Sequence, residues 1–157
     1  MLLGVKTEGC AVLSAADVAS YFLATQPEGA GESISNLKLQ KLCYYAQGFH
    51  LAIFEKPLFG EGVNAWAHGP VVPELYRRYK QFGDGPIDVP GHVDFSRYDE
   101  ETKDLLDEVS EVYGQFSAWK LRTMTHDEPP WKQARKLGDG AEISHGSMAD
   151  YFKTLVA

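Results

Sequence analysis

The chain contains only two cysteines, Cys10 and Cys43, among its 157 residues. They lie too far apart for the paired spacing of zinc sites, and two thiols cannot supply the disulfide framework of a small secreted domain. Cys10 falls in a predicted leader, and Cys43 lies on the apolar side of a predicted helix, where a thiol packs as a small apolar group. We therefore expect a reduced, cytoplasmic setting, and neither cysteine is a candidate nucleophile.

Long apolar runs are also missing. No segment approaches the roughly 20 apolar residues of a membrane-spanning helix. The apolar N-terminal segments are separated by Lys6 and Glu8 and followed by Asp17, which is not the composition of a signal peptide. The sequence therefore predicts neither a secretion signal nor a membrane as partner.

Positive charge is scarce. Lysine and arginine number 15 against 22 acidic residues, which gives a formal net charge of −7. Binding to DNA phosphates depends on clustered cations that release counterions, so nucleic acid is not an expected partner and a DNA-binding regulator is disfavoured. The densest cationic segment contains Arg77, Arg78 and Lys80. Such a segment is typical of the solvated face of a short helix, with a local basic patch as the alternative.

Signatures of catalysis are absent as well. The chain has no glycine-rich phosphate loop and no nucleophile elbow. Its five histidines, none of them paired at metal-site spacing, are His50, His68, His92, His126 and His145. We therefore expect a protein that is not an enzyme, with no catalytic residue, metal or cofactor. The alternative is a metal- or nucleotide-dependent enzyme using His68, His126 and nearby acids, which metal analysis of the purified protein would detect.

The composition that is present is typical of a globular domain. Apolar residues make up 44% of the chain and charged residues 24%. A chain of this length buries one sizeable core. We predict a flexible leader over residues 1 to 13 and one domain over residues 14 to 157. The predicted fold class is mainly α, a compact multi-helix bundle with a small β element, and an α+β fold is the alternative.

Residues whose side chains can cap a first turn mark the helix starts. Ser14, with an acid three residues on, predicts a helix to residue 24, and a breaker-rich linker follows over residues 26 to 32. The further predicted helices begin after Ser35 or Asn36, at Pro73, after Asp99, after Ser117, at Pro130 and after Ser144 or Ser147. The helix that begins after Ser35 or Asn36 ends at residue 54, and the helix from Pro73 ends at residue 82. Residues 63 to 67 predict a short strand, and residues 87 to 98 an irregular connection or a second strand.

Apolar residues three and four apart give the long helix one core face. Its members are Leu39, Leu42, Cys43, Ala46, Phe49, His50 and Ile53. Lys38, Lys41 and Gln47 fall on other sides of this helix. Gly48 in its interior indicates either loose tolerance or the close approach of another backbone. In the helix after Asp99 the same spacing predicts core positions for Leu105, Leu106, Val109, Val112, Tyr113 and Phe116. The predicted helix after Ser117 carries Trp119, Leu121 and Met124.

The segment from residue 37 to residue 83 carries the most specific motifs. They are Leu39-Gln-Lys-Leu42, Tyr44-Tyr-Ala-Gln-Gly48, His50-Leu51, Trp66 and Gly69-Pro-Val-Val-Pro-Glu-Leu-Tyr76. With these motifs the chain resembles the Panacea domain, the SocA-like antitoxin family. The resemblance covers about a third of the chain, and the extended leader and glycine-rich linker depart from it.

This resemblance implies a bacterial antitoxin that binds and neutralises a cognate protein toxin. It further implies a proteolytic adaptor that delivers the toxin to the ClpXP protease, and neutralisation by occlusion without degradation is the alternative. The implied partners are the toxin and, for an adaptor, ClpX. The C-terminal Leu155-Val-Ala157 is similar to the apolar tails that Clp unfoldases bind, although Leu155 could equally pack in the last helix.

Aromatic residues cluster around the Gly-Pro turn, and tyrosine and tryptophan are favoured at protein interfaces. Together with the resemblance, this clustering predicts a partner-binding surface. Its residues are Tyr45, Trp66, His68, Pro70, Val71 and Tyr76, with Arg77 and Arg78 as rim charges. The acidic helix after Asp99 is a second candidate surface, which would attract a basic partner.

Overall fold

Side-chain caps define where most helices of this protein begin. The computed structural model describes residues 13–27 and 33–156. The helices are Ala15–Thr25 (α1), Asn36–Phe54 (α2), Pro73–Tyr79 (α3), Glu100–Tyr113 (α4), Ala118–His126 (α5), Pro129–Leu137 (α6) and His145–Lys153 (α7). Ser14 forms a capping box with Asp17. The side chains that each accept a hydrogen bond from the backbone N–H three residues further along are those of Ser35, Asp99, Ser117 and Ser144. These caps confirm the predicted starts and settle the two open ones at Ser35 and Ser144.

A small hairpin interrupts the helices. Strands Asn64–Trp66 (β1) and Gly69–Val71 (β2) pair antiparallel, with Trp66 opposite Gly69. On its other edge β1 is bonded through Ala65, whose N–H donates to Ala141 O over 2.8 Å. β1 lies within the predicted strand. The sequence analysis does not predict β2, because three residues with a central proline show no alternation of apolar and polar side chains. The described residues thus form a mainly α fold with a small β element, as predicted.

Helix α2 is buried on all sides. It packs against α1, α3, α4, α5, α7 and β2, and 15 of its 19 residues are buried. The prediction of a single core face is therefore wrong, because Lys38, Lys41 and Gln47 are buried too. Ile53, predicted for the core, is instead 47% exposed. A helix enclosed in this way lacks the clear amphipathic pattern of a surface helix.

Polar side chains of α2 hold neighbouring loop backbone in place. Gln47 donates to Phe59 O over 2.8 Å and accepts from Leu58 N over 2.7 Å. Lys38 Nζ donates to Gly114 O over 2.8 Å. Buried polar groups need such partners, and here irregular segments supply them. The helix therefore fixes connections that have no regular structure of their own.

Gly48 lets α7 pack closely on α2. A Cβ at this position would overlap the ring of Phe152 on α7. That ring packs edge to face against Tyr44, Tyr45 and Phe49, with centroids 5.5, 5.9 and 4.8 Å away. Close approach, rather than loose tolerance, explains the glycine, but the approaching group is an aromatic ring and not another backbone.

One residue of α4 that is predicted for the core lies at the surface. Val112 is 42% exposed, whereas Leu106 on the same helix is fully buried. Spacing alone therefore does not determine how wide the buried face of a helix is.

Residues 87 to 98, all of them described, contain a 3₁₀ turn, Phe95–Arg97, and no strand. A second 3₁₀ turn, Lys80–Phe82, extends α3 to its predicted end.

Some predictions fall outside the described residues. These are the leader up to residue 12, with Cys10, most of the linker at residues 28–32, and Ala157. Leu13, assigned to the leader, is buried and forms a β-bridge with Phe59. Of the helices that the structure describes, none has both the length and the apolar character needed to cross a membrane.

Candidate partner-binding surface

A cleft of about 1130 Å³ opens beside the hairpin. Three aromatic side chains line it: Trp66 of β1, Tyr76 of α3 and Trp119 of α5. The rings of Trp66 and Tyr76 meet edge to face with their centroids 5.1 Å apart. Trp119 is the most open of the three, at 58% exposure. We call this feature, with Val71 and His68 in its lining, the aromatic cleft.

Hydrogen bonds from other elements fix the backbone that carries two of these rings. Trp131 Nε1 donates to Trp66 O over 2.8 Å. Asn36 Nδ2, at the start of α2, donates to Tyr76 O over 3.2 Å. Because this backbone is already ordered, binding of a partner over the rings would cost this protein little additional conformational entropy.

Gln40 links α2 to the start of α3. Its Nε2 donates to Asn36 Oδ1 over 2.9 Å, and its Oε1 accepts from Val72 N over 2.9 Å. Gln40 is fully buried, so water cannot compete for these bonds. The pair of bonds sets the position of α3, and therefore of Tyr76, relative to α2.

Lys41 lies beneath the hairpin. The residue is fully buried, and its Nζ donates to Pro70 O over 3.2 Å. Burial, followed by repulsion from Arg122, lowers the pKa of Lys41 to about 7. Gly69 is needed above this side chain, since its φ is +108° and a Cβ there would lie 2.6 Å from Lys41 Cε.

Arg122 of α5 is hydrogen-bonded to His68 in the cleft lining. Its Nε donates to His68 Nδ1 over 3.1 Å, which requires that ring nitrogen to be unprotonated. The guanidinium carbon lies 4.3 Å from the centroid of the Trp119 ring. Arg122 does not itself line the aromatic cleft, but His68 and Trp119 do. Stacking and the hydrogen bond to these two residues hold the guanidinium in one orientation beside the cleft.

Arg135 of α6 supplies another cation to the cleft lining. Its Nη1 donates to Ala65 O over 3.1 Å, and its Nη2 lies 3.2 Å from Asp139 Oδ1. The Asp139 side chain is 93% exposed, and exposed ion pairs of this kind add little stability. The main contribution of Arg135 is therefore to support the backbone of β1.

His126 packs behind the hairpin. Its ring stacks on Trp131 with centroids 4.1 Å apart and an angle of 11°, and its Nε2 is buried with no hydrogen-bond partner in the described part of the chain. Burial, followed by repulsion from Arg122, lowers the pKa of His126. Within the described ranges, no group of three or more His, Cys, Asp or Glu side chains could hold a metal ion.

Glu128 at the start of α6 is a buried carboxylate outside the cleft lining. The hydroxyls of Tyr44 and Tyr45 donate to its two oxygens over 2.9 and 2.7 Å. Burial raises the pKa of Glu128 to about 7, although the hydrogen bonds from Tyr45 and Tyr44 act in the opposite direction. Burial also raises the pKa of each tyrosine. The hydroxyls therefore remain protonated donors that join α2 to α6.

Four of the predicted partner-binding residues meet at the aromatic cleft. Trp66, His68, Val71 and Tyr76 all line it. Val71 is only 3% exposed, so it forms part of the floor, whereas His68 is exposed at the mouth.

The other four predicted residues lie elsewhere. Tyr45 is in the core, where its ring stacks on Tyr113 at 3.8 Å. Pro70 is buried in the hairpin. Arg77 and Arg78 are exposed on α3 but do not line the cleft.

Trp119, Arg122 and Arg135 are the surface residues that the sequence analysis misses. They come from α5 and α6, far along the chain from the motif-bearing segment. One signal could have found them. Helices α5 and α6 together carry five lysines and arginines and no acid, in a chain with a net charge of −7.

The fold and this surface define a small helical domain whose cleft has the residue types of a protein interface. Comparison with known proteins identifies the family: the model described as "Antitoxin SocA-like, Panacea domain" matches residues 39–132. The chain is also similar to Antitoxin SocA of Caulobacter vibrioides (strain NA1000 / CB15N), at 31% identity over 136 residues, covering 76% of this chain and 72% of that protein. The chain therefore belongs to the SocA-like antitoxin family with a Panacea domain, as its motifs predict. No solved structure matches it.

Proposed function

We propose that this protein is an antitoxin that binds and neutralises a cognate protein toxin through the aromatic cleft. One observation carries the proposal: a member of the SocA-like antitoxin family holds Trp66, Tyr76 and Trp119 in one open cleft. Tryptophan, tyrosine and arginine supply most of the binding energy of protein interfaces when a partner covers them. All three aromatic residues lie inside the matched range 39–132.

The dimensions of the cleft are compatible with a protein partner. Its volume of about 1130 Å³ lies near the upper end of the range of about 300–1,000 Å³ that is typical of small-molecule sites. A loop or a helix end projecting from a toxin would fit such a space. We therefore place a binding role at this surface.

We further propose that neutralisation proceeds by delivery of the toxin to ClpXP in the bacterial cytoplasm. An adaptor needs one surface for the toxin and a separate one for the unfoldase. Leu155, beyond α7, is 47% exposed. The surface around this residue is our candidate for the second surface. Occlusion of the toxin without degradation remains the alternative mechanism.

The test is degradation of the product of the neighbouring gene by purified ClpXP and ATP, with and without this protein. Accelerated loss of that product would support the adaptor mechanism. Stable binding without loss would favour occlusion. If the product is neither bound nor degraded, the antitoxin assignment is contradicted for this pair.

A double variant, Trp66→Ala with Tyr76→Ala, tests whether the aromatic cleft is the toxin-binding surface. We expect weaker capture of the toxin because both rings are only partly buried and are available to a partner. Circular dichroism is the control. A general loss of helicity would show that the two rings are needed for the core, and the capture result would then not bear on binding.

A further inference from the structure

The charge of the molecule is divided unevenly between its helices. Helix α4 carries six acidic residues and one lysine, whereas α5 and α6, which carry Trp119, Arg122 and Arg135, have five cations and no acid. In a chain with a net charge of −7, a local excess of cations beside a cleft attracts a partner of negative charge.

Arg122 contacts two residues of the cleft lining, His68 and Trp119, and is the cation best placed to bind an anion beside them. Its Nε is occupied by His68 and its plane is stacked near the Trp119 ring, which leaves the two Nη groups as donors. Among the described residues, no carboxylate forms an ion pair with Arg122. A guanidinium held in this way matches the two oxygens of a carboxylate.

Arg122 is the fixed cation in this part of the molecule. Burial, followed by repulsion from Arg122, lowers the pKa of both Lys41 and His126, which favours the neutral forms of these two side chains. The acidic side chains in the cleft lining are Asp84 and Asp139, and Asp139 is paired with Arg135. The positive field beside the hairpin turn is therefore not compensated at Arg122.

We propose that the aromatic cleft binds an acidic segment of the partner, with an apolar side chain packed against Trp66, Tyr76 and Trp119 and a carboxylate hydrogen-bonded to Arg122. This inference rests on the proposed function, because it specifies the partner chemistry for the same surface. The stacked Arg122 and Trp119 place the charge-binding and apolar-binding groups side by side. One short segment carrying an acidic and an apolar residue would therefore contact both.

The test does not need the toxin. A random-peptide display library is selected on the immobilised full chain, and the recovered peptides are synthesised with their acidic residues intact or replaced by the matching amides. We expect the selected peptides to combine Asp or Glu with a nearby apolar or aromatic residue. Each acidic peptide should bind about tenfold more tightly than the same peptide with amides in place of its acids, as expected for a charge-assisted hydrogen bond.

Variants of the protein assign this preference to one residue. The Arg122→Gln variant should bind the acidic peptide and its amide counterpart with equal affinity. The Arg122→Lys variant should retain part of the preference for the acidic peptide, because lysine keeps the charge but not the planar pair of donors. Lys153→Gln on α7, exposed and outside the cleft lining, removes the same charge and should behave as the wild type. Each variant's unfolding midpoint confirms that it is folded.

Three results would overturn the inference: no enriched peptide, enrichment of basic or uncharged peptides, or an acidic preference that survives Arg122→Gln. Basic peptides would instead point to the acidic surface of α4. Failure here is distinguishable from failure of the proposed function. If the toxin is captured through Trp66 and Tyr76 but Arg122→Gln has no effect, the toxin-binding surface stands and only the acidic-segment inference falls.

Discussion

Glu128 makes the stability of this protein depend on pH. Its pKa is about 7 in the fold and 4.5 when unperturbed, so the folded state binds more protons between these values. The contribution of Glu128 to the free energy of unfolding should therefore fall as pH rises from about 4.5 to about 7, by on the order of 3 kcal/mol. Urea denaturation across this range is the measurement. Glu128→Gln, which stays neutral, should remove most of the fall, and exposed Glu108→Gln should not; an equal fall in Glu128→Gln would contradict the account.

Lys41 has the opposite dependence in a higher pH range. Its pKa is lowered from 10.5 to about 7, so the unfolded state binds more protons between these values. The free energy of unfolding should then rise as pH increases from about 7 to about 10.5. Lys41→Met keeps the length of the side chain without the titrating group, and the rise should disappear in denaturation curves of this variant. A rise of the same size in the variant would show that another group causes it.

At the scale of elements, the packing of α7 on α2 depends on Gly48. Gly48→Ala gains helix propensity but forces a methyl group into the ring of Phe152, and overpacking of this kind costs about 1–3 kcal/mol. We expect a net loss of stability in urea denaturation. Gly146→Ala on α7 is the matched control, because this glycine is also helical and the nearest atom to a Cβ there, Ser144 Oγ, lies 4.0 Å away.

A second substitution distinguishes overpacking from a backbone effect. Phe152→Leu removes part of the ring that the new methyl group would meet. In the Phe152→Leu background, Gly48→Ala should reduce the free energy of unfolding by less than it does in the wild-type protein. A double-mutant cycle measures this difference. Equal costs in the two backgrounds would mean that Phe152 is not the reason for the glycine.

Helix starts could be predicted from the sequence because capping is local. Ser14 and Asp99 each bond a backbone N–H three residues away, so the cap and its partner lie within one short stretch. The burial of α2 could not be predicted in the same way. Lys41 and Gln47 are polar, and their partners are backbone atoms of Pro70, Leu58 and Phe59, which periodicity along one helix does not reveal.

At the scale of the whole molecule, the aromatic cleft forms from segments distant in sequence. The motif-bearing segment supplies Trp66 and Tyr76, and these could be proposed from the sequence. Trp119 and Arg122 reach the same surface only because α5 packs against α2 and β2. The sequence therefore predicted one side of the cleft, and the other side required the fold.

The most direct test of the central claim is the affinity of the toxin for wild-type protein and for Trp119→Ala, measured by titration calorimetry. Trp119 is 58% exposed, so its removal should leave the unfolding midpoint nearly unchanged. The control Phe95→Ala removes another exposed aromatic side chain, at 41% exposure and outside the cleft lining. We predict that Trp119→Ala binds at least about tenfold more weakly while Phe95→Ala binds as the wild type does. Wild-type affinity in a folded Trp119→Ala variant would contradict toxin binding at the aromatic cleft.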